Sequence, residues 1–456
     1  MAAMKKIYLA AAAALCLGAL MPAVPAAAEV TWGTCPPDPP YPPAAKGITC
    51  GKVTVPVDWS QPDGEKIEIF VSRSKARKKK IGTLITNPGG PGNPGATPVM
   101  MAGEEFPDEV LDSFDIIGFD PRGVGRSSGL ECEAGPIEQP TTSKEFAALV
   151  ATNRTLGQSC REKTGALFDH LDTGSVAQDV EAIRQALGEE KISFLGQSYG
   201  TLIGQQYAQL HPERLNSLVL DSVVDHSIKN PARLLRDGAA EAERALKKSL
   251  RTTVATLFAR ADQGTLTHKG EKVTPQMLTE LLNGYLRVGG TPELDSSLKA
   301  LATGKGEVRW LHSGGEIMFR ATWCQDFSAT FTNFTDYRTA MAEARKVAPY
   351  VRGNSQAINF VLGCQGWPAK VANPPAAHSF TGVPTLVASH TVDLATPHTW
   401  ATRVHRRVPG SKLLTMEGTG HITYARMGLT APKQCMNRKI TGFLLTGKVT
   451  GTTCGN

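Results

Sequence analysis

The chain has 456 residues, of which 41% are hydrophobic and 20% charged. That balance excludes a mainly disordered chain, a collagen-like repeat and a polytopic membrane protein, and it allows two or three domains' worth of core. The net charge of +7 is spread along the sequence, so a nucleic-acid partner is not expected.

Residues 1–28 read as a secretory signal peptide. Lys5 and Lys6 form the charged start, an apolar stretch follows from Ile7, and Ala26-Ala27-Ala28 supplies the small residues before a cut near Glu29. Pro22 and Pro25 break the apolar stretch, which argues against a membrane anchor. Cysteine usage agrees with export. There are nine cysteines, and Cys16 lies in the leader. An even set remains, and pairing between neighbours is expected: Cys35–Cys50, Cys132–Cys160, Cys324–Cys364 and Cys435–Cys454. No Cys-x-x-Cys start exists for a zinc site.

Residues 36–43 (PPDPPYPP) are an extended arm. Strands are expected at Lys66–Arg73 and Ile81–Thr86, with KARKKK between them as a solvated hairpin tip. Phe114–Asp120 (FDIIGFD) is a buried-type strand. A helix is expected over about Gly174–Leu187, where Val176, Val180, Ile183 and Leu187 share a face. Lys191–Leu195 is a strand, Thr201–Leu210 a helix, and Leu215–Val224 carries the next strand. This alternation predicts an α/β fold with a mostly parallel sheet. From about Ser227 to Pro375 the texture turns helical, and strand–helix alternation returns at Pro384–Ala388, Thr399–Arg407 and Lys412–Glu417. The expected organisation is a core over 29–226 and 379–456, interrupted by a mainly helical cap or lid over 227–378.

Gly196-Gln197-Ser198-Tyr199-Gly200 matches Gly-x-Ser-x-Gly, a nucleophile elbow between a strand and a helix. Glycines permit the sharp turn, and Ser198 presents its hydroxyl at the sheet's carboxyl edge. Gly125-Arg126-Ser127-Ser128-Gly129 also matches, but no helical pattern follows it, so it reads as a surface loop. The serine needs a base and the base an orienting carboxylate, in the chain order Ser, acid, His. His421, after the strand KLLTME, is the candidate base. Asp393, after the strand PTLVA, is the candidate acid, and Asp221 at the end of LVLD is its rival. An oxyanion needs preorganised N–H donors. Gly90 in the loop NPGGPG supplies one, with Gly89 as the alternative, and Tyr199 supplies the other. Arg122, in DPRGVGRS, is expected to pair with a buried carboxylate beside the site.

Together NPGGPG, GFDPRGVGRS, GQSYGT with YAQLHP, LVLDSVVD, D-x-x-T-P and the final G-H resemble the secreted tripeptidyl aminopeptidases of actinomycetes. That group is part of the proline iminopeptidase-like α/β-hydrolase serine peptidases. The resemblance covers about 30–225 and 380–456, and Cys435 and Cys454 fit the family's last bridge. It implies an α/β-hydrolase fold and an exopeptidase that removes short peptides from free N-termini through Ser198, Asp393 and His421. It also implies an acidic cap residue for the substrate's ammonium, with Glu316 and Asp326 as candidates. The chain departs from the family in having no cysteine between Cys160 and Cys324. Such an enzyme needs no metal or cofactor, and a monomer without stable membrane association is expected. A carboxylesterase or lipase on the same scaffold is the alternative, because a triad does not separate esters from amides. A binding protein with a dead site is the rival from another class.

Overall fold

A computed structural model describes residues 29–37, 43–101, 105–130, 132–290, 292–310, 317–328, 330–424 and 430–455. The leader, most of the proline-dense arm and Glu316 lie outside the described residues.

The main strands are β1 (Ile48–Pro56), β2 (Lys66–Ser74), β3 (Gly82–Asn87), β4 (Phe114–Phe119), β5 (Ile192–Gln197) and β6 (Leu215–Asp221). A short hairpin, β7 (Thr267–His268) and β8 (Glu271–Lys272), precedes β9 (Thr385–Val392), β10 (Lys412–Thr419) and β11 (Thr453–Cys454). Apart from the hairpin they form one nine-stranded sheet in the order β1-β2-β4-β3-β5-β6-β9-β10-β11. The β1–β2 and β2–β4 pairs are antiparallel, and every pair from β4 through β11 is parallel.

The parallel strands are covered on both faces, which explains their unbroken apolar runs. Side chains still alternate. Ile85, Phe194, Leu218 and Leu220 enter one core, while Leu84, Leu195 and Val219 enter the other. The period of two therefore distributes each strand between two cores. Helices are capped locally. Thr142 and Glu145 form a capping box on Ser143–Thr164, and Asp172 caps Thr173–Ala186.

β6 and β9 are neighbours in the sheet, pairing Leu218 with Thr385. Between them the described chain makes seven helices, from Pro231–Ala245 to Ser355–Cys364. Several pack on a core of their own that includes Phe258, Leu281, Leu282, Leu298 and Leu301. Disulfides join Cys35–Cys50, Cys132–Cys160, Cys324–Cys364 and Cys435–Cys454. The third ties the helices Ile317–Asp326 and Ser355–Cys364 together.

Two expectations change and one is refined. The KARKKK segment is not a hairpin tip, because β4 lies between β2 and β3. It crosses that strand, and much of its charge is paired: Arg77 with Asp108 and Asp112, Lys78 with Asp112, and Lys80 with Asp115 and Glu189. The second Gly-x-Ser-x-Gly is a surface loop as expected, with Gly125, Ser128 and Gly129 exposed, but its serine is turned inward. Ser127 is fully buried, donating to the Asp120 carbonyl at 2.7 Å and accepting the Phe70 N–H at 2.8 Å. Strand β1 and the helices Ser143–Thr164 and Ala431–Thr446 were missed. The proline that ends β1 and the largely polar faces of both helices weaken the periodic signal.

Candidate active site

The carboxyl ends of β5, β6 and β9 lie side by side, with Gln197 opposite Asp221 and Asp221 opposite Ala388. Ser198 follows β5 directly. Its φ of 52° is the left-handed conformation that non-glycine residues rarely adopt. The Ser198 N–H donates to the Asp221 carbonyl at 2.9 Å, which holds the strained residue in place. The flanking glycines are required by contact. A Cβ on Gly196 would stand 2.3 Å from the Gly200 carbonyl oxygen, and one on Gly200 would stand 2.3 Å from that of Asn87.

Ser198 Oγ lies 2.9 Å from His421 Nε2. His421 Nδ1 lies 2.8 Å and 3.0 Å from the two carboxylate oxygens of Asp393. Asp393 also accepts the Ala395 N–H at 2.9 Å, the Thr396 N–H at 3.1 Å and the Thr396 hydroxyl at 2.9 Å. Complete burial pushes its carboxyl up, but His421 and the Thr396 donors outweigh burial and hold it below the ordinary carboxylate value. An ionised Asp393 therefore faces the imidazole and fixes the Nδ1–H tautomer.

Asp221, the rival acid, has a different place. It is fully buried and accepts the Thr423 N–H and hydroxyl at 3.0 and 2.8 Å and the Tyr424 N–H at 3.0 Å. The next residue, Ser222, accepts the Ile422 N–H at 2.9 Å. Ile422 has a φ of 67°, costly for a β-branched residue. Asp221 and Ser222 thus clamp the loop that carries His421. Sequence reasoning found Asp221 but not this use, because the loop it binds lies two hundred residues downstream.

Tyr199 follows Ser198 in the chain, and Gly90 follows Gly89 in the loop NPGGPG. The Gly89 N–H is already committed to Asn87 Oδ1 at 2.9 Å, whereas the Gly90 and Tyr199 amides donate to no described atom. A Cβ on Gly89 would stand 2.6 Å from the Tyr199 nitrogen, so the loop NPGGPG is packed onto the elbow itself. Two free donors at the start of the helix Gly200–Leu210 suit a developing negative charge. Arg122 sits behind the site, fully buried, with Nη2 2.6 Å and Nε 2.8 Å from the Asp179 carboxylate.

Asp326 is not available to a substrate. It is fully buried, accepting the Tyr199 hydroxyl, the Thr173 hydroxyl at 2.5 Å and N–H at 2.9 Å, and the Asn373 amide at 2.8 Å. Burial, with Asp172 adding to it, pushes its carboxyl up to about 7 against the hydrogen bonds from Thr173 and Tyr199. It joins the insertion to the residue after the elbow serine. The other candidate, Glu316, lies outside the described residues.

A cavity of about 270 Å³ opens beside Gly90 and Pro91. Its walls include Phe319, Trp323 and Phe360, whose ring centroids lie 4.2–5.9 Å apart. Arg287 and Arg320 also line it, and sequence reasoning missed both. A lone arginine on a helix carries no signal of its partners.

Comparison with known proteins agrees with this architecture. The sequence pattern of the alpha/beta hydrolase fold matches residues 82–425, and the chain belongs to that family. It is 28% identical over 490 residues to a tripeptidyl aminopeptidase of Streptomyces lividans, covering 94% of this chain and 87% of the relative. It is 29% identical over 475 residues to the serine protease Hip1 of Mycobacterium tuberculosis, covering 92% and 89%. It is 28% identical over 449 residues to a carboxylesterase B of the same species, covering 88% and 85%. The protein is a serine hydrolase.

Proposed function

Proceeding from that family, we propose that the protein is a secreted exopeptidase releasing short peptides, tripeptides in particular, from free N-termini. The observation that carries the reading is the unbroken line from Ser198 Oγ through His421 to a buried Asp393, with two free amides alongside. In the reaction, His421 Nε2 takes the Ser198 proton as Oγ attacks the scissile carbonyl. The Gly90 and Tyr199 amides receive the oxyanion, and His421 returns the proton to the leaving amine. Water then enters, gives a proton to His421, and attacks the acyl-enzyme; the proton returns to Ser198 as the peptide leaves.

The likeness to a tripeptidyl aminopeptidase over nearly the whole chain supports the substrate class. Four disulfides support an oxidising destination. Among the described residues no helix is long and apolar enough to cross a membrane. Residues 227–378 form the cap in this reading, and substrate length is set where it overhangs Ser198. Glu316 remains the candidate for the substrate's ammonium.

The test is a digest read by mass spectrometry, using peptides with free N-termini and the same peptides acetylated. Release of short peptides from the free set alone supports the reading. Equal cleavage of both sets makes the enzyme an endopeptidase. A second reading, carboxylesterase, is favoured by the aromatic wall of the cavity and the likeness to a carboxylesterase. Hydrolysis of p-nitrophenyl acetate with no peptide cleaved would establish it.

A further inference from the structure

The cavity beside the oxyanion loop is cationic. Two charged side chains line it, Arg287 and Arg320, and no carboxylate does so among the described residues. Arg320 is only 6% exposed. Its Nη1 donates to Asn153 Oδ1 at 3.1 Å, and its buried Nη2 has no hydrogen-bond partner. Neither arginine makes an ion pair with a described residue. Burial lowers the Arg320 pKa to about 10, with no carboxylate raising it, and burial lowers that of Arg287, where the Asp393 charge acts the other way.

A buried guanidinium without a counter-charge is costly, and a structural one is ordinarily paired. These two line one cavity with an aromatic wall, the amide side chain of Asn359 and the loop residue Gly90. The planar guanidinium fork matches a carboxylate, and the aromatic wall matches the methylenes that carry one. The same charge disfavours a substrate ammonium here, so a free α-amine has to be held elsewhere in the cap.

We propose that Arg287 and Arg320 form a subsite for a carboxylate of the substrate, supplied by an acidic side chain or by the C-terminus of a short peptide. The subsite deepens the serine-peptidase reading and rests on it for the identity of the substrate as a peptide. The anion completes the missing ion pairs and anchors the chain beside the oxyanion donors.

The experiment compares kcat/KM for peptide pairs that differ only in Glu against Gln at one position, and for one peptide as C-terminal acid and amide. The expected result is a preference of about tenfold for the acid member in one arm, and that arm identifies the source. The preference falls towards unity in Arg287→Gln and in Arg320→Gln. Should Arg320→Gln fail to fold, Arg287→Gln and Arg320→Lys carry the comparison. A ratio near one for every pair in the wild type overturns the proposal, as does a preference that both variants retain. If no peptide is cleaved while p-nitrophenyl acetate is, the peptidase reading fails separately. Glutarate and glutaramide are then compared as competitors of ester hydrolysis. Stronger competition by glutarate, lost in Arg287→Gln, supports the carboxylate subsite, and equal competition overturns it.

Discussion

The carboxyl edge of the sheet and the helical insertion above it are built on opposite principles. At the sheet edge each charged or strained group has fixed hydrogen-bond partners. Ser198 is tied to the Asp221 carbonyl, Ile422 to Ser222, and Asp393 to the amides of its own turn. In the insertion the groups facing the cavity are long side chains on helices, and Arg287 and Arg320 lack a counter-ion among the described residues. The sheet edge thus holds Ser198, His421 and Asp393 in a closed hydrogen-bond network, whereas the arginines facing the cavity are left without a counter-charge. Among the contacts that join the regions, two reach the candidate catalytic residues or their neighbours. Glu241 of the insertion accepts the Asp393 N–H at 3.0 Å, and Asp326 accepts the Tyr199 hydroxyl.

The sharpest way to break the comparison is at the Ser198–His421–Asp393 line. Ser198→Ala and Asp393→Asn are each expected to lower kcat on peptide and ester alike by about 10⁴-fold with little change in KM. Steady-state kinetics of the purified variants check this, and an active Asp393→Asn enzyme would transfer the role to another acid. Next comes the insertion's own fastening. Replacing Cys324 and Cys364 by serine opens a loop of 40 residues. Stability should fall by about 2–4 kcal/mol, read from denaturant midpoints of oxidised protein.

The clamp under His421 is a smaller lever. Asp221→Asn places an N–H group against the Thr423 and Tyr424 amides, displacing the loop. A fall in kcat of about 10²-fold is expected, as for a misplacement of about 1 Å, with the serine still labelled by a fluorophosphonate at a reduced rate. Full activity in this variant would remove Asp221 from any positioning role.

The seam at Asp326 should give the mildest signal, and it is a pH effect. Its folded-state pKa is raised from 3.8 to about 7. Between those values the folded state holds a proton that the unfolded state has released. Its contribution to stability is therefore complete below about pH 4 and lost as pH rises through about 7. Asp326→Asn does not titrate, so the stability gap between wild type and variant should narrow from pH 5 to pH 8. Thermal unfolding at the two values measures it, and a widening gap would reverse the assigned direction.

Much of the sheet edge was legible from local pattern. The turn at Gly196–Gly200 announces itself because only glycine fits against the Gly200 and Asn87 carbonyls. The strands before Ser198, Asp393 and His421 are short apolar runs, and residues just past strand ends are where this kind of sheet exposes function. The same reasoning failed where burial depends on distant chain. Ser127 lies in the expected surface loop but is itself sealed by Phe70 and Asp120, and KARKKK, exposed as expected, is no hairpin tip and pairs with Asp112 and Asp115. Asp326 looked like a ligand for an amine and is enclosed by Thr173, Tyr199 and Asn373.

By itself, then, the sequence determined the strand–helix alternation around the elbow, the elbow itself, the order of the three candidates Ser198, Asp393 and His421, and a workable disulfide pairing. The strands, helices and elbow are set by contacts within a few residues or by backbone conformation that only certain residue types permit. Tertiary structure alone decided which charges have partners. Arg122 found Asp179, Asp221 found the His421 loop, and Arg287 and Arg320 were left facing a cavity. Pairing of this kind is a property of surfaces brought together from far along the chain, and the free energy of a buried charge depends on that enclosure, not on its neighbours in sequence.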